Sequence, residues 1–255
     1  MNLFDLTDTC ALVTGAGTGL GLGMATALLE AGANVALTGR REEKLQQAIQ
    51  NLPHHLQGRA IAVPLDVTDE SSIKEALTNT RNRFGEIDIL VNNAGNAFAG
   101  KLLDSDRVLW AQQLETNVIG LSQISRHVAQ QMIEHKRSGS IINIASILGV
   151  RSNIGSAAYC ASKSAVIGLT KTMALELAKY NIRVNAILPG VFKTELADWM
   201  DNEAALDNVR SRVPTGRIGV VEDLAGPILL LASNAGRHMT GAIIPVDGGH
   251  LIASL

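Results

Sequence analysis

A chain of 255 residues with 46% hydrophobic content carries enough apolar material for one large core or two small ones. A net charge of −2 excludes a global attraction to nucleic acid or to anionic membranes, and 3% aromatic residues exclude a stacking surface for single strands. Cys10 and Cys160 are too few for a disulfide scaffold or a zinc knuckle. The six histidines show no metal-ligand spacing, so no metal site is expected, and His54-His55 is read as lying in a loop. The first ten residues contain Asp5 and Asp8 and lack a basic stretch followed by an apolar one, and the apolar run 227–232 is too short to cross a bilayer. A soluble, cytoplasmic protein is expected.

Cys10 to Thr14 is a short apolar run meeting glycines, as a buried strand does at a turn. Leu22, Ala25, Leu28 and Leu29 then recur at helical spacing over 20–31, stopped by Gly32. A second strand follows at 35–38, a helix at 42–52 closed by Pro53, and a third strand at 60–65. A helix over 71–84 faces Ile73, Ala76 and Leu77 inward, and 87–91 is a fourth strand. A long helical region spans about 106–136 with a break or bend at its start. The fifth strand is 140–145, a helix covers 157–180, and the sixth strand is 182–188. Residues 192–212 are polar and mixed, 221–233 form a last helix and 242–246 a last strand. Alternation throughout, without linker or repeat, predicts an α/β fold: a single Rossmann-like, doubly wound domain over 1–255, its seven-stranded parallel sheet carrying helices on both faces.

Thr14-Gly15-Ala16-Gly17-Thr18-Gly19-Leu20-Gly21 joins the first strand to the first helix. No frame of it fits G-x-G-x-x-G; T-G-x-x-x-G-x-G fits. Such a turn lets backbone approach a pyrophosphate while the helix N-terminus offers N–H groups and positive dipole. The acidic residue that would bind the adenosine ribose of NAD is replaced by Gly39, followed by Arg40 and Arg41. A guanidinium there can pair with a 2′-phosphate, which predicts NADP(H) preferred, with NAD(H) possible.

Further along, Ser146 closes an apolar run, and Tyr159 and Lys163 share one face of a helix at i, i+4. With the glycine loop, Asp66-Val67, Asn92-Asn93-Ala94-Gly95, Asn117 and Pro189-Gly190, these residues resemble the short-chain dehydrogenase/reductase family along nearly the whole chain. The resemblance implies an oxidoreductase interconverting a ketone and a secondary alcohol, with Asn117, Ser146, Tyr159 and Lys163 as the catalytic set. It implies cofactor contacts from Gly15, Thr18, Gly19, Leu20, Gly21 and Arg40, and from Asp66 and Val67 at the adenine. Asn93, Ala94 and Gly95 are expected at the ribose, with Pro189, Gly190 and Val191 at the nicotinamide and Thr194 bonding it or the pyrophosphate. Tyr159 is the expected proton donor, Lys163 is expected to lower its pKa and to hold the nicotinamide ribose, and Ser146 to orient the carbonyl. Asn117 is expected to hold a water linking Lys163 to solvent.

For the substrate, 192–212 is expected to form a lid, with Lys193, Trp199, Met200 and 149–156 shaping the pocket. Arg151 is read either as a partner of a substrate carboxylate or as a solvated loop residue. The opening Leu3-Phe4-Asp5-Leu6, the loop 18–21 and the tail from Arg217-Ile218-Gly219 to Asp247-Gly248-Gly249 resemble sugar-acid dehydrogenases acting on gluconate or ketogluconate. The alternative is a 3-oxoacyl-acyl-carrier-protein reductase. Such reductases often carry an Arg before the Glu of the Tyr/Lys helix, where this chain has Leu175 before Glu176, although Lys136-Arg137 leaves room for a carrier. A non-catalytic NADP-binding sensor is the remote alternative. Leu169, Met173 and Leu177, with the apolar tail Leu251, Ile252 and Leu255, suggest subunit contacts, and the family implies a homotetramer.

Overall fold

The computed structural model describes residues 2–98, 100–193 and 203–253. Strands β1 (Cys10–Thr14), β2 (Asn34–Gly39), β3 (Ala60–Pro64), β4 (Ile89–Asn92), β5 (Gly139–Ile144), β6 (Ile182–Pro189) and β7 (Ile243–Val246) form a seven-stranded sheet in the order β3-β2-β1-β4-β5-β6-β7. Every pairing is parallel, so all strand C-termini reach the same edge. The order reverses between β1 and β4, the switch point at which open sheets of this kind leave a crevice.

The strands are apolar on both faces because helices cover both. β1 shows the alternation residue by residue. Ala11 and Val13 pack into the layer holding α1 (Gly19–Glu30), α2 (Glu42–Gln50) and α9 (Ala225–Ala232). Cys10 and Leu12 pack with α4 (Glu70–Phe84), α6 (Leu121–Glu134) and part of α7 (Ala157–Leu177). Leu12, Met24, Leu28 and Ile124 are fully buried, each contributing about 1.5–3 kcal/mol of transfer free energy.

Several local expectations are corrected. His54 and His55 lie on a short helix, α3 (His54–Gln57), not in a loop, because Pro53 at its N-cap presets the turn. The long helical region does not break at its start. It runs as α5 (Arg107–Leu114), then a π-helical segment Glu115–Gly120, then α6. Met173 and Leu177 lie against the core, while Leu175 is 82% exposed. Leu251 packs on the cluster around Val166 and Leu188, Ile252 is exposed, and Leu255 lies outside the described residues. Of the segment 192–212, Phe192 is buried and pairs with Gly219, and α8 (Glu203–Arg210) buries Leu206; Thr194, Trp199 and Met200 lie outside the described residues. Among the described residues no helix is long and apolar enough to cross a membrane.

Candidate active site

A cleft of about 1150 Å³ opens at the carboxyl edge, over the switch point. It exceeds the ~300–1,000 Å³ of ordinary small-molecule pockets, leaving room for an extended ligand and a second reactant. Its floor is stapled across β1 and β4. Thr14 Oγ1 accepts the N–H groups of Asn93 and Ala94, both at 2.9 Å, and Asn93 Nδ2 donates to the carbonyls of Thr14 and Gly15 at 3.0 and 3.1 Å. Gly15 has φ +64°, and a Cβ there would stand 3.0 Å from Ala94 Cα, so only glycine fits the turn.

One end of the cleft is cationic. Gly15, Gly17, Thr18, Gly19, Leu20 and Gly21 lead into the N-terminus of α1, whose Thr18 makes no side-chain cap bond among the described residues. Its first N–H groups point to the cleft with the helix dipole behind them. Gly39 leaves the end of β2 without a carboxylate, and Arg40 lines the cleft as expected of a phosphate partner. Arg41 and Lys44 line it too. Arg41 follows Arg40 in the sequence, and Lys44 stands four residues beyond Arg40 at a helix start. Asp66, Val67, Ala94 and Gly95 form the next stretch of wall. Asp66 Oδ1 is engaged by the Thr68 N–H at 2.9 Å and hydroxyl at 2.7 Å, an Asx turn that fixes the carboxylate beside the cleft.

At the other end lie Ser146, Tyr159, Lys163, Pro189 and Gly190. Lys163 is buried, and its Nζ donates to the Ile144 carbonyl at 2.9 Å and stands 5.6 Å from the Tyr159 ring centre. Burial pulls its ammonium from 10.5 down to about 8. Tyr159 departs from expectation: its phenol is raised, not lowered. Burial is the larger influence and outweighs a hydrogen bond with Ser146 that favours the phenolate. Enclosure disfavours charge on both groups, and the lysine is directed to a backbone carbonyl. At neutral pH the phenol keeps its proton.

Asn117 lies under the surface rather than on the cleft wall. Its Oδ1 accepts from Asn96 N at 2.9 Å, and its Nδ2 donates to Asn96 O at 3.0 Å and Ser162 Oγ at 3.1 Å. The side-chain amide thus braces two segments, and both its N–H groups are engaged by protein rather than turned to a water. The π-helical turn around it explains the placement, since one extra residue per turn rotates Asn117 inward. Three further expected positions stand off the cleft wall. Arg151 does not line the cleft; its guanidinium donates to the His250 carbonyl at 2.6 Å. Segment 149–156 also stays off the cleft wall, Gly149 packing so closely on α7 that an added Cβ would meet Lys163 O at 2.8 Å. Val191 is turned from the wall, and its carbonyl accepts from Gly219 N at 3.0 Å.

A family model described as enoyl-(acyl carrier protein) reductase matches residues 15–250. The chain belongs to the short-chain dehydrogenase/reductase family. A 3-oxoacyl-acyl-carrier-protein reductase of Thermotoga maritima is 37% identical, covering 94% of this chain and 97% of that protein. A 2-dehydro-3-deoxy-D-gluconate 5-dehydrogenase of Dickeya dadantii is also 37% identical, over 98% of both chains. The crystal structure of a gluconate 5-dehydrogenase from Burkholderia cenocepacia, in complex with NADP and tartrate, superposes with a TM-score of 0.93 at 36% identity, covering 99% of each chain. As a short-chain dehydrogenase/reductase, the chain is an oxidoreductase acting on CH–OH groups.

Proposed function

We propose that this short-chain dehydrogenase/reductase uses NADP(H) to interconvert a ketone and a secondary alcohol on a sugar acid of the gluconate or ketogluconate type. The observation that carries the reading is the polarity of one continuous cleft: three cations and a helix N-terminus at one end, a buried hydroxyl–phenol–lysine cluster at the other. The donor set fits a phosphorylated dinucleotide, because N–H groups and guanidinium groups both suit phosphate oxygens and β2 ends in Gly39 rather than in a carboxylate that would repel a 2′-phosphate. Arg40 would hold that phosphate, the turn 15–21 the pyrophosphate, and Asp66 and Val67 the adenine. NADP(H), when bound, supplies the hydride chemistry.

The chain's own groups handle the proton. Charge builds on the carbonyl oxygen as the carbon is reduced, and Tyr159, protonated at neutral pH, gives it a proton. Ser146 hydrogen-bonds the same oxygen and orients it. Lys163 holds the ribose and keeps a positive charge beside the phenol as the proton leaves. In the oxidative direction the step reverses: Tyr159 must first lose its proton, and the phenolate, beside the Lys163 charge, takes the alcohol proton.

The relative from Dickeya dadantii and the tartrate-bound neighbour support a sugar acid. The Thermotoga maritima relative supports the second reading, a 3-oxoacyl-acyl-carrier-protein reductase, to the same degree of identity. Two surface features weigh against an acidic carrier: exposed Leu175 before Glu176, and Arg137 already paired with Asp88 at 2.6 Å. Comparing NADPH oxidation on 5-ketogluconate with that on acetoacetyl thioesters separates the readings. A higher kcat/KM for the thioester overturns the first, and a preference for NADH over NADPH overturns the cofactor assignment. A homotetramer in the cytoplasm is the proposed setting, and a monomer by light scattering would contradict that assembly.

A further inference from the structure

Helix α5 buries one side chain, and it is the amide of Gln113, which is 0% exposed. On the same helix Val108 is 61% exposed and Leu109, Trp110 and Leu114 are only half-buried, so the amide is the one fully enclosed contact of α5. Gln113 Nε2 donates to the backbone and side-chain oxygens of Asn96, and Oε1 accepts from Phe98 N at 3.0 Å. A buried amide with both ends engaged fixes what it binds, since each partner would be unpaired without it.

What it binds is the loop leaving β4. Asn96 brackets the Asn117 amide with its own N–H and carbonyl. Asn117 reaches Ser162, and Ser162 Oγ donates to the Tyr159 carbonyl at 2.8 Å. A Cβ added to Gly95 would lie 3.1 Å from Asn117 Oδ1 and 3.7 Å from Lys163 Nζ, so the loop passes these groups without slack. Gly100 N, further along, donates to the Gly155 carbonyl at 2.9 Å, two residues ahead of α7. From these contacts we infer that Gln113 is a positioning residue: its amide sets loop 96–98 and, through Asn96, holds Asn117 in register with the helix carrying Tyr159 and Lys163.

The inference rests on the carbonyl-reductase reading, and turnover of 5-ketogluconate or an acetoacetyl thioester by the unsubstituted enzyme tests that reading alone. The test of the inference is a double-mutant cycle of Gln113→Met and Asn117→Ala, with kcat, NADPH Kd and hydrogen exchange of loop 96–98 measured on each protein. Gln113→Met is expected to lower kcat by ~10-fold or more, to leave NADPH Kd within ~2-fold, and to speed exchange at Phe98; the double variant is expected to be no slower than the worse single one, as for residues acting through one network. Effects that multiply, or a kcat unchanged while Tm falls, would overturn it. If Gln113→Met does not fold, Gln113→Glu, which keeps an acceptor for the Phe98 N–H, enters the same cycle with the same criteria.

Discussion

Two cations drawn in from solvent, the buried Lys163 on α7 and the half-buried Arg183 on β6, have been placed in opposite situations. Arg183 donates to the carbonyls of Leu231 at 2.7 Å and of Ser233 and Met239 at 3.4 Å, at the C-terminus of α9. Carbonyl dipoles and the negative end of a helix surround it, and a guanidinium cannot be deprotonated in this setting, so it serves as a strut. Lys163 is held by the carbonyl of Ile144 and faces the cleft beside Tyr159, its pKa drawn down to about 8. Burial alone therefore does not mark a functional charge. The lysine is distinguished by a titration brought near the working range and by a phenol within reach.

The largest effect expected is at the phenol. Tyr159→Phe should lower kcat by at least ~10²-fold, the low end for general acid catalysis, while NADPH binding is kept. Next comes Lys163→Met, expected to lower kcat/KM by ~10-fold or more, about one charge-assisted hydrogen bond. The same variant tests the titration. With a folded pKa of about 8 against an ordinary 10.5, the unfolded chain binds more protons between those values, so stability of the unsubstituted protein rises with pH across that window. Below pH 8 both states are protonated and the full burial penalty is present. The Tm advantage of Lys163→Met should accordingly be largest below pH 8 and shrink as pH approaches 10.5; a constant gap would contradict the assignment.

Arg40 offers a third, exposed cation for the comparison. Arg40→Ala should raise KM for NADPH by ~10-fold, with KM for NADH nearly unchanged, as expected for loss of one phosphate contact. An equal change for both cofactors would detach Arg40 from the 2′-phosphate. The smallest catalytic effect belongs to Arg183→Met. It should cost ~3–10 °C in Tm, a charge-assisted bond's worth for a chain of this size, and leave kcat within ~2-fold.

Much of this could be read in the chain because the signals are local. The run from Cys10 to Thr14 ending in glycines, and the i, i+4 spacing of Tyr159 and Lys163, depend on neighbours in sequence, and the structure puts both where that spacing implies. Features set by distant contacts were not legible. Periodicity cannot register the one-residue shift of the π-helical segment that turns Asn117 under the wall. Nothing local in the sequence marks Gln113, whose partner Asn96 lies 17 positions away. Arg151 finds its acceptor at His250, 99 positions along, a contact that local spacing cannot show. Spacing shows the lysine beside Tyr159 but not the enclosure that raises the phenol.

The most direct measurement sets Tyr159→Phe beside Arg183→Met and records NADPH-dependent ketone reduction, NADPH Kd and Tm for both. The tyrosine variant is predicted to lose turnover by ~10²-fold with Kd and Tm kept, and the arginine variant to lose Tm with turnover kept. A Tyr159→Phe enzyme that reduces ketones at the unsubstituted rate would contradict the account.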